Sequence, residues 1–347
     1  MAEPDLKSAG NVVLLYEMPA GDADQSVKDV FDQLDAVEKA LREGGAEIIR
    51  LPVDMRLDSL KNRLAGLRPD IVFNLVESLD HSDRLQTVLP LLLEDWRIPF
   101  TGCGSAAMLL ANDKVKSKRL MADKGLPFPG CCLLANDDRL AFLPEEKSAV
   151  RAGQGWIVKA RDAHASAHLD DDSVLGEVDD ATLAARLAEA REKTGLVFFA
   201  ERFIDGREFN ISLVEGADGP EVLPAAEISF AGLPEGKPRI VGYAAKWEED
   251  SPEYQATPRI FMDGEKEAEL ATKLEKLSLA VWEGFELSGY ARVDFRVDGN
   301  GDAFILEINA NPCITPDAGL AAAAEKKGWA YRDLVERIVQ AGLRQDG

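Results

Sequence analysis

A stretch near the C-terminus carries side chains that could bind a metal ion. Two runs of alternating apolar and polar residues flank the sequence Asp-Gly-Asn-Gly-Asp, which predicts a β-hairpin. Residues two apart share one face of a strand, so Glu307 points the same way as Asn309, and Arg292 the same way as Asp294. Such groups are costly to bury without a partner, and oxygen donors suit Mg²⁺. We predict a metal site rather than a solvated strand face with a surface salt bridge.

Two lysines could bind phosphate groups. Lys114 stands near the start of a charged helix predicted over residues 112–124, where main-chain N–H groups favour anions. Lys159 is near the end of the apolar run 155–160, a predicted strand. Each lysine is weak evidence by itself, because a solvated helix face explains the first and a lysine that reaches the surface explains the second.

The segment 198–209 could recognise a nucleoside. It reads as an apolar strand that enters a turn, with Glu201 before the turn and Glu208 after it. Main-chain groups of such a segment can bind the edge of a base, while carboxylates accept hydrogen bonds from an exocyclic amine and ribose hydroxyls. An ordinary strand–turn–strand is an equally open interpretation.

The elements that position these groups follow from hydrophobic periodicity. In the first third, strands alternate with helices, which predicts a parallel sheet with ligands at the carboxyl ends of its strands. Its predicted strands are 11–16, 46–51, 71–76 and 98–100, and its predicted helices are 25–43, 57–67 and 85–94. Strands at 131–134 and 155–160 indicate a small α/β subdomain, the acidic segment 170–189 a loop leading into a solvated helix, and residues 331–341 a closing helix.

Composition excludes several classes of protein. The chain has 347 residues, 46% of them hydrophobic, and 62 acidic against 40 basic residues give a net charge of −22. That charge argues against nonspecific nucleic-acid binding. No signal peptide or membrane-spanning run is visible. The four cysteines have no zinc-ligand spacing, and Cys131 and Cys132 are expected in a half-buried strand. We expect a reduced, cytoplasmic protein that acts on small molecules.

The order of the motifs resembles the ATP-grasp superfamily, most closely its D-alanine–D-alanine ligases. That family shows DK opening a helix, a strand ending in VKP, an E-x-F-(I/L)-x-G-x-E-F segment, a Y-x-x-K segment and an RVDF…LE(I/V)N hairpin. This chain has a counterpart of each in the same order, with Ala160 replacing the proline of VKP. The resemblance implies an α/β, ATP-grasp fold. It would have an N-terminal parallel-sheet domain (1–112), a central ATP-grasp subdomain (113–198) and a C-terminal subdomain with the metal site (199–347).

The resemblance also implies residue roles. Six residues would bind ATP: Lys114 and Lys159 at the phosphates, Glu201, Arg202 and Ile204 at adenine, and Glu208 at the ribose. Two Mg²⁺ ions, or Mn²⁺ instead, would be held by Asp294, Glu307 and Asn309. Four residues would act in catalysis: Lys246 near the γ-phosphate, Arg292 at the acyl phosphate, Ser166 in the phosphate loop, and Cys313 through its main-chain N–H in an oxyanion hole.

The first substrate loop and the phosphate loop depart from the family pattern. The Gly-Gly-x-Ser-x-Glu loop that grips the first D-alanine is absent, and the residues that could replace its glutamate are Glu17, Asp24 and Asp29. The phosphate loop after Lys159 keeps Ser166 but has lost the glycines that let a main chain approach phosphate closely. His164 and His168 of that loop could add hydrogen-bond donors, although solvated histidines are the simpler interpretation.

The second substrate region departs as well. Ala318 stands where the ligases bind a terminal carboxylate with a serine, Asp317 precedes it, and Glu77 replaces a histidine. The acidic replacements would suit a cationic or amine-rich substrate. The resemblance to the family therefore predicts the fold of this chain better than it predicts the substrate.

The resulting prediction is an ATP- and Mg²⁺-dependent carboxylate–amine ligase that forms an acyl phosphate of a small, amino-acid-like molecule. The resemblance also implies a homodimer. One alternative is a true D-alanine–D-alanine ligase. Another is a nucleotide-binding module without ligase chemistry, favoured by the altered Ser166 loop and opposed by the intact hairpin residues.

Overall fold

The computed structural model describes residues 10–18, 25–80, 82–144, 155–163, 166, 168–248 and 250–344, which form three β-sheets with helices packed against them. The strands are β1 (Asn11–Glu17), β2 (Glu47–Val53), β3 (Ile71–Asn74), β4 (Cys131–Leu134), β5 (Leu140–Leu143), β6 (Trp156–Ala160), β7 (Val174–Leu175), β8 (Phe198–Arg202), β9 (Arg207–Gly216), β10 (Gly219–Val222), β11 (Ala226–Ile228), β12 (Arg259–Phe261), β13 (Tyr290–Val297) and β14 (Ala303–Ala310).

Eleven α-helices lie in the described residues. They are α1 (Gln25–Glu43), α2 (Leu57–Leu67), α3 (Val88–Trp96), α4 (Ser105–Asn112), α5 (Lys114–Asp123), α6 (Asp180–Thr194), α7 (Tyr243–Trp247), α8 (Pro252–Ala256), α9 (Ala268–Gly284), α10 (Gly319–Lys327) and α11 (Tyr331–Arg344). Two 3₁₀ helices cover Asp83–Thr87 and Asp171–Ser173. Within the described ranges, none of these helices combines the length and apolar character needed to cross a membrane.

The first sheet is parallel, with strand order β2-β1-β3. Its central strand β1 is an apolar run with a buried interior, as is typical of strands covered on both faces. The predicted strand 98–100 is wrong in extent, because only Phe100 bridges to Val72 of β3. Pro99 has no N–H to continue a ladder, although its carbonyl accepts a hydrogen bond from the Val72 N–H at 2.8 Å.

The second sheet is antiparallel, with order β5-β4-β8-β6-β7. Cys131 and Cys132, predicted to be half-buried, are fully buried. The reason is that β4 is an interior strand between β5 and β8, and its two faces contact two different apolar clusters. The acidic stretch after β6 leads into α6, as predicted. The part predicted to be a loop instead contains the 3₁₀ helix Asp171–Ser173 and strand β7.

Two predicted helices differ from those observed. The helix predicted over 112–124 is preceded by another helix, α4, that the periodicity did not predict, and it begins at Lys114 because Asp113 caps α5. The Asp113 carboxylate accepts hydrogen bonds from the N–H groups of Val115 and Lys116, at 3.2 and 3.0 Å, which is the usual way in which an aspartate caps the N-terminus of a helix. The helix predicted over 85–94 begins as a 3₁₀ helix and continues as α3.

The third sheet carries the predicted hairpin, which is confirmed. Its order is β12-β11-β9-β13-β14, and β10 pairs with the C-terminal end of β9. In the β13–β14 ladder Arg292 lies opposite Asn309 and Asp294 opposite Glu307, with a bulge directly after Asp294. Apolar residues of β9, β13 and β14 join α9 in one core cluster. The polar residues that alternate with them face the opposite side of the sheet.

Candidate active site

A cavity of about 1520 Å³ lies between the second and third sheets and reaches the carboxyl end of the first. Its walls include side chains of β6 and β8 on one side and of β9, β13 and β14 on the other. Glu17, the last residue of β1, also lines it, as expected for a site at the carboxyl ends of parallel strands. All thirteen residues to which the sequence assigned a binding or catalytic role line this one cavity.

The hairpin residues form a connected polar cluster. Arg292 donates two hydrogen bonds to Asp294, from Nε to Oδ1 at 2.7 Å and from Nη2 to Oδ2 at 2.8 Å. The Asn309 amide donates to Asp294 Oδ2 at 3.0 Å and lies 3.5 Å from Glu307 Oε1. Burial opposes the charge of Arg292, but the adjacent Asp294 carboxylate outweighs that effect and raises the pKa of the guanidinium. Arg292 is therefore a permanent cation in the lining of the cavity.

Asn210 joins this cluster and was missed by the sequence reasoning. Its side-chain amide donates a 2.8 Å hydrogen bond to Asp294 Oδ1, across the β9–β13 ladder. The alternation of Glu208, Asn210 and Ser212 along β9 was a usable signal, because these residues share one face.

The cluster fits a hard cation by its chemistry. Two carboxylates and one amide side chain converge from β13 and β14, and carboxylate and amide oxygens are the protein ligands that Mg²⁺ takes. The described residues contain no group of three His, Cys, Asp or Glu side chains arranged to hold a metal. Substrate oxygens would therefore have to complete the coordination shell, as is common for Mg²⁺.

Lys114 is placed in the cavity by the N-terminus of α5. Arg161, which follows β6, pairs with the capping residue Asp113 through Nε–Oδ1 and Nη2–Oδ2 contacts of 2.8 and 2.5 Å. This pair fixes the helix start against the next loop, so that the Lys114 ammonium donates to the Ala163 carbonyl at 2.6 Å. The same ammonium lies 3.6 Å from Glu307 Oε2.

Lys159 and Glu201 belong to a buried ionic network that includes Lys118. Glu201 accepts from Lys159 at 2.6 Å through Oε1 and pairs with Lys118 at 2.7 Å through Oε2. Burial would raise the pKa of the Glu201 carboxyl, but the two lysines outweigh it and lower that pKa. Lys118 was missed, although its position one helical turn after Lys114 places both lysines on one helix face.

Arg202 and Ile204 occupy the end of the cavity at β8. The Arg202 guanidinium stacks on the Trp156 ring, 4.7 Å from its centroid, and pairs with Glu177 at 2.5 Å. Ile204 is nearly buried in the wall. The predicted adenine contacts of Glu201 and Arg202 stay predictions, and both side chains already have ionic partners in this structure.

Glu208 pairs with Arg296, a second residue that sequence reasoning missed. Arg296 Nη2 lies 2.8 Å from Glu208 Oε2, and the two residues face each other across the β9–β13 ladder. The same guanidinium donates to the carbonyls of Gly206 (3.0 Å) and Arg239 and stacks on the Phe230 ring. Burial still raises the pKa of the Glu208 carboxyl, against the effect of Arg296. Arg296 thereby ties Glu208 to the segment around residues 230–239.

We expect Arg296→Met to raise the KM for ATP about tenfold if Glu208 binds the ribose. Without the Arg296 guanidinium, the buried Glu208 carboxylate would lose the cation that keeps it charged and in position to accept hydrogen bonds. Steady-state kinetics at varied ATP measure this effect. The double variant Arg296→Met with Glu208→Gln removes the uncompensated charge and should be more stable to urea than Arg296→Met alone. Equal stability of the single and double variants would contradict this account.

Lys246 and Ser166 also line the cavity. Lys246, in α7, points into the cavity, and its ammonium lies 5.5 Å from the Trp247 ring centroid. Removal of the Lys246 ammonium from water by the surrounding protein lowers its pKa, and the charge of Arg292 lowers it further. Ser166 donates a 2.8 Å hydrogen bond to the Val241 carbonyl. Of the two loop histidines, His168 is exposed and His164 lies outside the described residues.

The segment after β14 forms the remaining wall. Cys313 Sγ lies 3.5 Å from Thr315 Oγ1. Gln33, on α1, accepts a 2.7 Å hydrogen bond from the Ile314 N–H and donates a 3.2 Å bond to Glu77. Gln33 therefore fixes the position of the 313–315 segment relative to Glu77.

One of the three candidates for the missing substrate glutamate lies at the cavity. Glu17 accepts hydrogen bonds from the Ser78 hydroxyl at 2.5 Å and from the Asp80 N–H at 2.6 Å. Asp24 lies outside the described residues, as does the side chain of Asp29.

Known proteins resemble this chain in sequence and in architecture. A sequence model of the family described as D-ala D-ala ligase C-terminus matches residues 175–340. A D-alanine–D-alanine ligase from Laribacter hongkongensis is 33% identical over 249 residues, 72% of each chain. The uncharacterized protein y4sG from Sinorhizobium fredii is 30% identical over 321 residues, 90% of this chain and 87% of its own length.

The fold comparison agrees. A D-alanine–D-alanine ligase from Bacillus anthracis, solved in complex with ATP, superposes with a TM-score of 0.72 at 19% identity, covering 97% of this chain and 99% of that one. This likeness confirms the predicted ATP-grasp fold. Together with the sequence relatives, it supports one conclusion about ancestry. The chain belongs to the D-alanine–D-alanine ligase family of ATP-grasp ligases.

Proposed function

We propose that this protein is an ATP- and Mg²⁺-dependent carboxylate–amine ligase that works through an acyl phosphate. A substrate carboxylate would attack the γ-phosphorus of ATP, giving an acyl phosphate and ADP. An amine would then attack the acyl carbon and release phosphate. The observation that carries the proposal is one cavity lined by Arg292, the lysines and the Asp294–Glu307–Asn309 oxygen cluster.

The nucleotide would lie along β6, β8 and β9. Lys114 and Lys159 are held in place by the Ala163 carbonyl and by Glu201 before any ligand arrives, so little reorganisation is needed to bind phosphates. Glu208 would accept the ribose hydroxyls, and the main chain of Ile204 would contact the base. Related proteins named D-alanine–D-alanine ligase, one of them solved with ATP, support this assignment.

The reaction would occur beside Arg292. Its charge would stabilise the oxyanions that form on the transferred phosphoryl group and at the acyl carbon. Mg²⁺ held by Asp294, Glu307 and Asn309, as two ions or with Mn²⁺ as a substitute, would neutralise phosphate charge. Ser166 and the main-chain N–H of Cys313 would donate hydrogen bonds to the phosphate and the acyl oxygen. Catalysis would consist of positioning and charge neutralisation.

The substrates are proposed to be small, amino-acid-like molecules. Measuring ADP and phosphate release with Mg²⁺-ATP tests this across single D- and L-amino acids, their pairs, diamines and small carboxylic acids. Release that depends on a pair supports the ligase and identifies its substrates. Tight Mg²⁺-dependent ATP binding without release in any combination would contradict the proposal and favour a binding module.

D-alanine ligation is the second candidate, favoured by the names of the sequence relatives. The environment of Glu17 weighs against it, because that carboxylate already accepts hydrogen bonds from Ser78 and Asp80. Glu77 adds a further negative charge to the same part of the cavity. Failure of D-alanine to stimulate ADP release, while another pair does, would exclude this candidate.

The pH dependence of kcat/KM for ATP should follow the charge of the Lys246 ammonium. Because its surroundings lower the pKa of the ammonium below the ordinary lysine value of 10.5, the charge is lost as pH rises through that lowered pKa. We expect kcat/KM for ATP to fall on the alkaline side below pH 10.5. Lys246→Arg should move this decline to higher pH, since a guanidinium stays charged. A pH profile measured for both proteins tests this, and an identical alkaline decline would contradict the assignment.

A homodimer, a cytoplasmic location and the subdomain limits after residues 112 and 198 are further proposals. Multi-angle light scattering of the purified protein tests the first of them.

A further inference from the structure

The segment after β14 places Cys313 between two residues that distant parts of the chain hold in place. On one side, the side-chain Oδ1 of Asn311 accepts a 2.6 Å hydrogen bond from the Cys103 N–H, just before α4. On the other side is Ile314, which is 0% exposed. Pro312 directly precedes Cys313, and its ring restricts the main chain there. The position of the Cys313 main-chain N–H therefore depends on what holds Asn311 and Ile314.

Both main-chain polar groups of Ile314 are bound by side chains. Its N–H donates to Gln33 Oε1 of α1 at 2.7 Å, and its carbonyl accepts from the Tyr331 hydroxyl of α11 at 2.9 Å. The surroundings are apolar, because Ile314 belongs to the core cluster that joins α1 to α11. A buried main-chain N–H is costly to leave without an acceptor. Loss of the Gln33 amide would therefore make the segment move until the Ile314 N–H finds another acceptor.

The orientation of the Gln33 amide is fixed by its two partners. A main-chain N–H can only donate, so the amide oxygen faces Ile314 and the amide nitrogen faces Glu77, whose Oε1 accepts at 3.2 Å. Glu77 and Cys313 both line the cavity. Gln33 is 4% exposed and does not itself line the cavity. It can therefore act on a substrate only through the residues that it holds.

We propose that Gln33 is a positioning residue for attack by the amine, because it holds Ile314 so that the Cys313 main-chain N–H faces the acyl oxygen. The inference rests on the proposed ligase function, in which that N–H stabilises an oxyanion at the acyl carbon. In this step the amine nitrogen bonds to the acyl carbon and loses a proton to water, while the carbonyl electron pair moves to oxygen. The pair then returns as the C–O bond to phosphate breaks.

The earlier step makes no such demand. When the substrate carboxylate attacks the γ-phosphorus, charge develops on the phosphoryl oxygens and not at the acyl carbon. Formation of the acyl phosphate therefore does not need the Cys313 N–H. A change at Gln33 should slow the second step and leave the first one nearly unchanged.

Rapid-quench kinetics separate the two steps. The probes are Mg²⁺-ATP and the pair of compounds that releases most ADP in the panel of amino acids, diamines and carboxylic acids. In Gln33→Met the ligated product should form about ten- to hundredfold more slowly, a smaller loss than complete removal of an oxyanion donor causes. The first equivalent of ADP should form within about twofold of the wild-type rate, and the KM for ATP should also stay within about twofold. ADP should then appear as a burst before the product.

Two further variants separate positioning from a general effect on folding. Tyr331→Phe removes the other bond to Ile314 from a different helix and should give the same burst with a smaller loss of product formation. It decides the question by itself if Gln33→Met does not fold. Lys39→Met changes an exposed residue of α1 and should alter neither step.

Two results would overturn the inference alone. One is equal slowing of ADP and product formation in the folded variants, and the other is an unchanged rate of product formation. Absence of ADP release by the wild-type protein with every compound would instead contradict the proposed ligase function.

Discussion

Glu307→Gln is expected to lower the rate of ADP formation about a hundredfold or more while nucleotide binding stays within about tenfold of the wild-type value. The substitution keeps the size of the side chain but removes one negative charge and one oxygen ligand from the cluster that also contains Asp294 and Asn309. A metal ion supplies several kcal/mol to charge stabilisation in a transition state, and about 1.4 kcal/mol corresponds to tenfold in rate. Steady-state ADP release and titration with a fluorescent ADP analogue give the two quantities.

The two readouts distinguish an enzyme from a binding module. A ligase loses turnover far more than affinity, because the developing charge of the transition state depends on the lost ligand. A nucleotide-binding module would have no turnover to lose. Glu325→Gln, an exposed carboxylate on α10, is the matched control and should leave both quantities unchanged. If Glu307→Gln retains wild-type turnover, Glu307 has no role in the reaction.

Lys118→Met is expected to lower the free energy of unfolding by about 3–5 kcal/mol, the usual effect of removing one partner from a buried ion pair. Lys118 is 0% exposed and its partner Glu201 1% exposed, so the carboxylate cannot turn to water once the lysine is gone. Lys159 would be left as the other ion-pair partner of Glu201, at 2.6 Å. The lost ammonium also donates to the Leu306 carbonyl at 3.2 Å. Urea denaturation with an unchanged m-value measures the effect.

The same helix offers a matched control. Lys116 pairs with Asp113 at 3.5 Å but is 48% exposed, so Lys116→Met should cost less than about 1 kcal/mol. The double variant Lys118→Met with Glu201→Met replaces the pair by apolar side chains and should recover part of the stability. Equal stability of Lys118→Met and Lys116→Met would show that the buried pair contributes nothing.

The local parts of the fold were predictable from the sequence. Alternation with a period of two and the Asp-Gly-Asn-Gly-Asp turn predicted the β13–β14 hairpin, and the alternation of strands with helices predicted the parallel first sheet. These features depend on neighbours within a few residues, for which chain geometry alone decides which side chains share a face. The exceptions have local causes too, since Asp113 moves the start of α5 and Pro99 limits the strand near residue 100.

The sequence indicated which residues would line one cavity, because their types and order resemble a known family, and their roles there stay predictions. The sequence did not indicate which residues these side chains would pair with. Arg296 with Glu208 and Lys118 with Glu201 are contacts between distant parts of the chain.

The sequence by itself determined the β13–β14 hairpin, the family and the chemical character of the cavity. Only the tertiary structure decided which charges neutralise each other. Asn210 and Asp294, for example, are 84 residues apart and meet through the β9–β13 register. Strand order and register arise from burying the apolar faces of whole sheets, and no local pattern of charged residues contains that information.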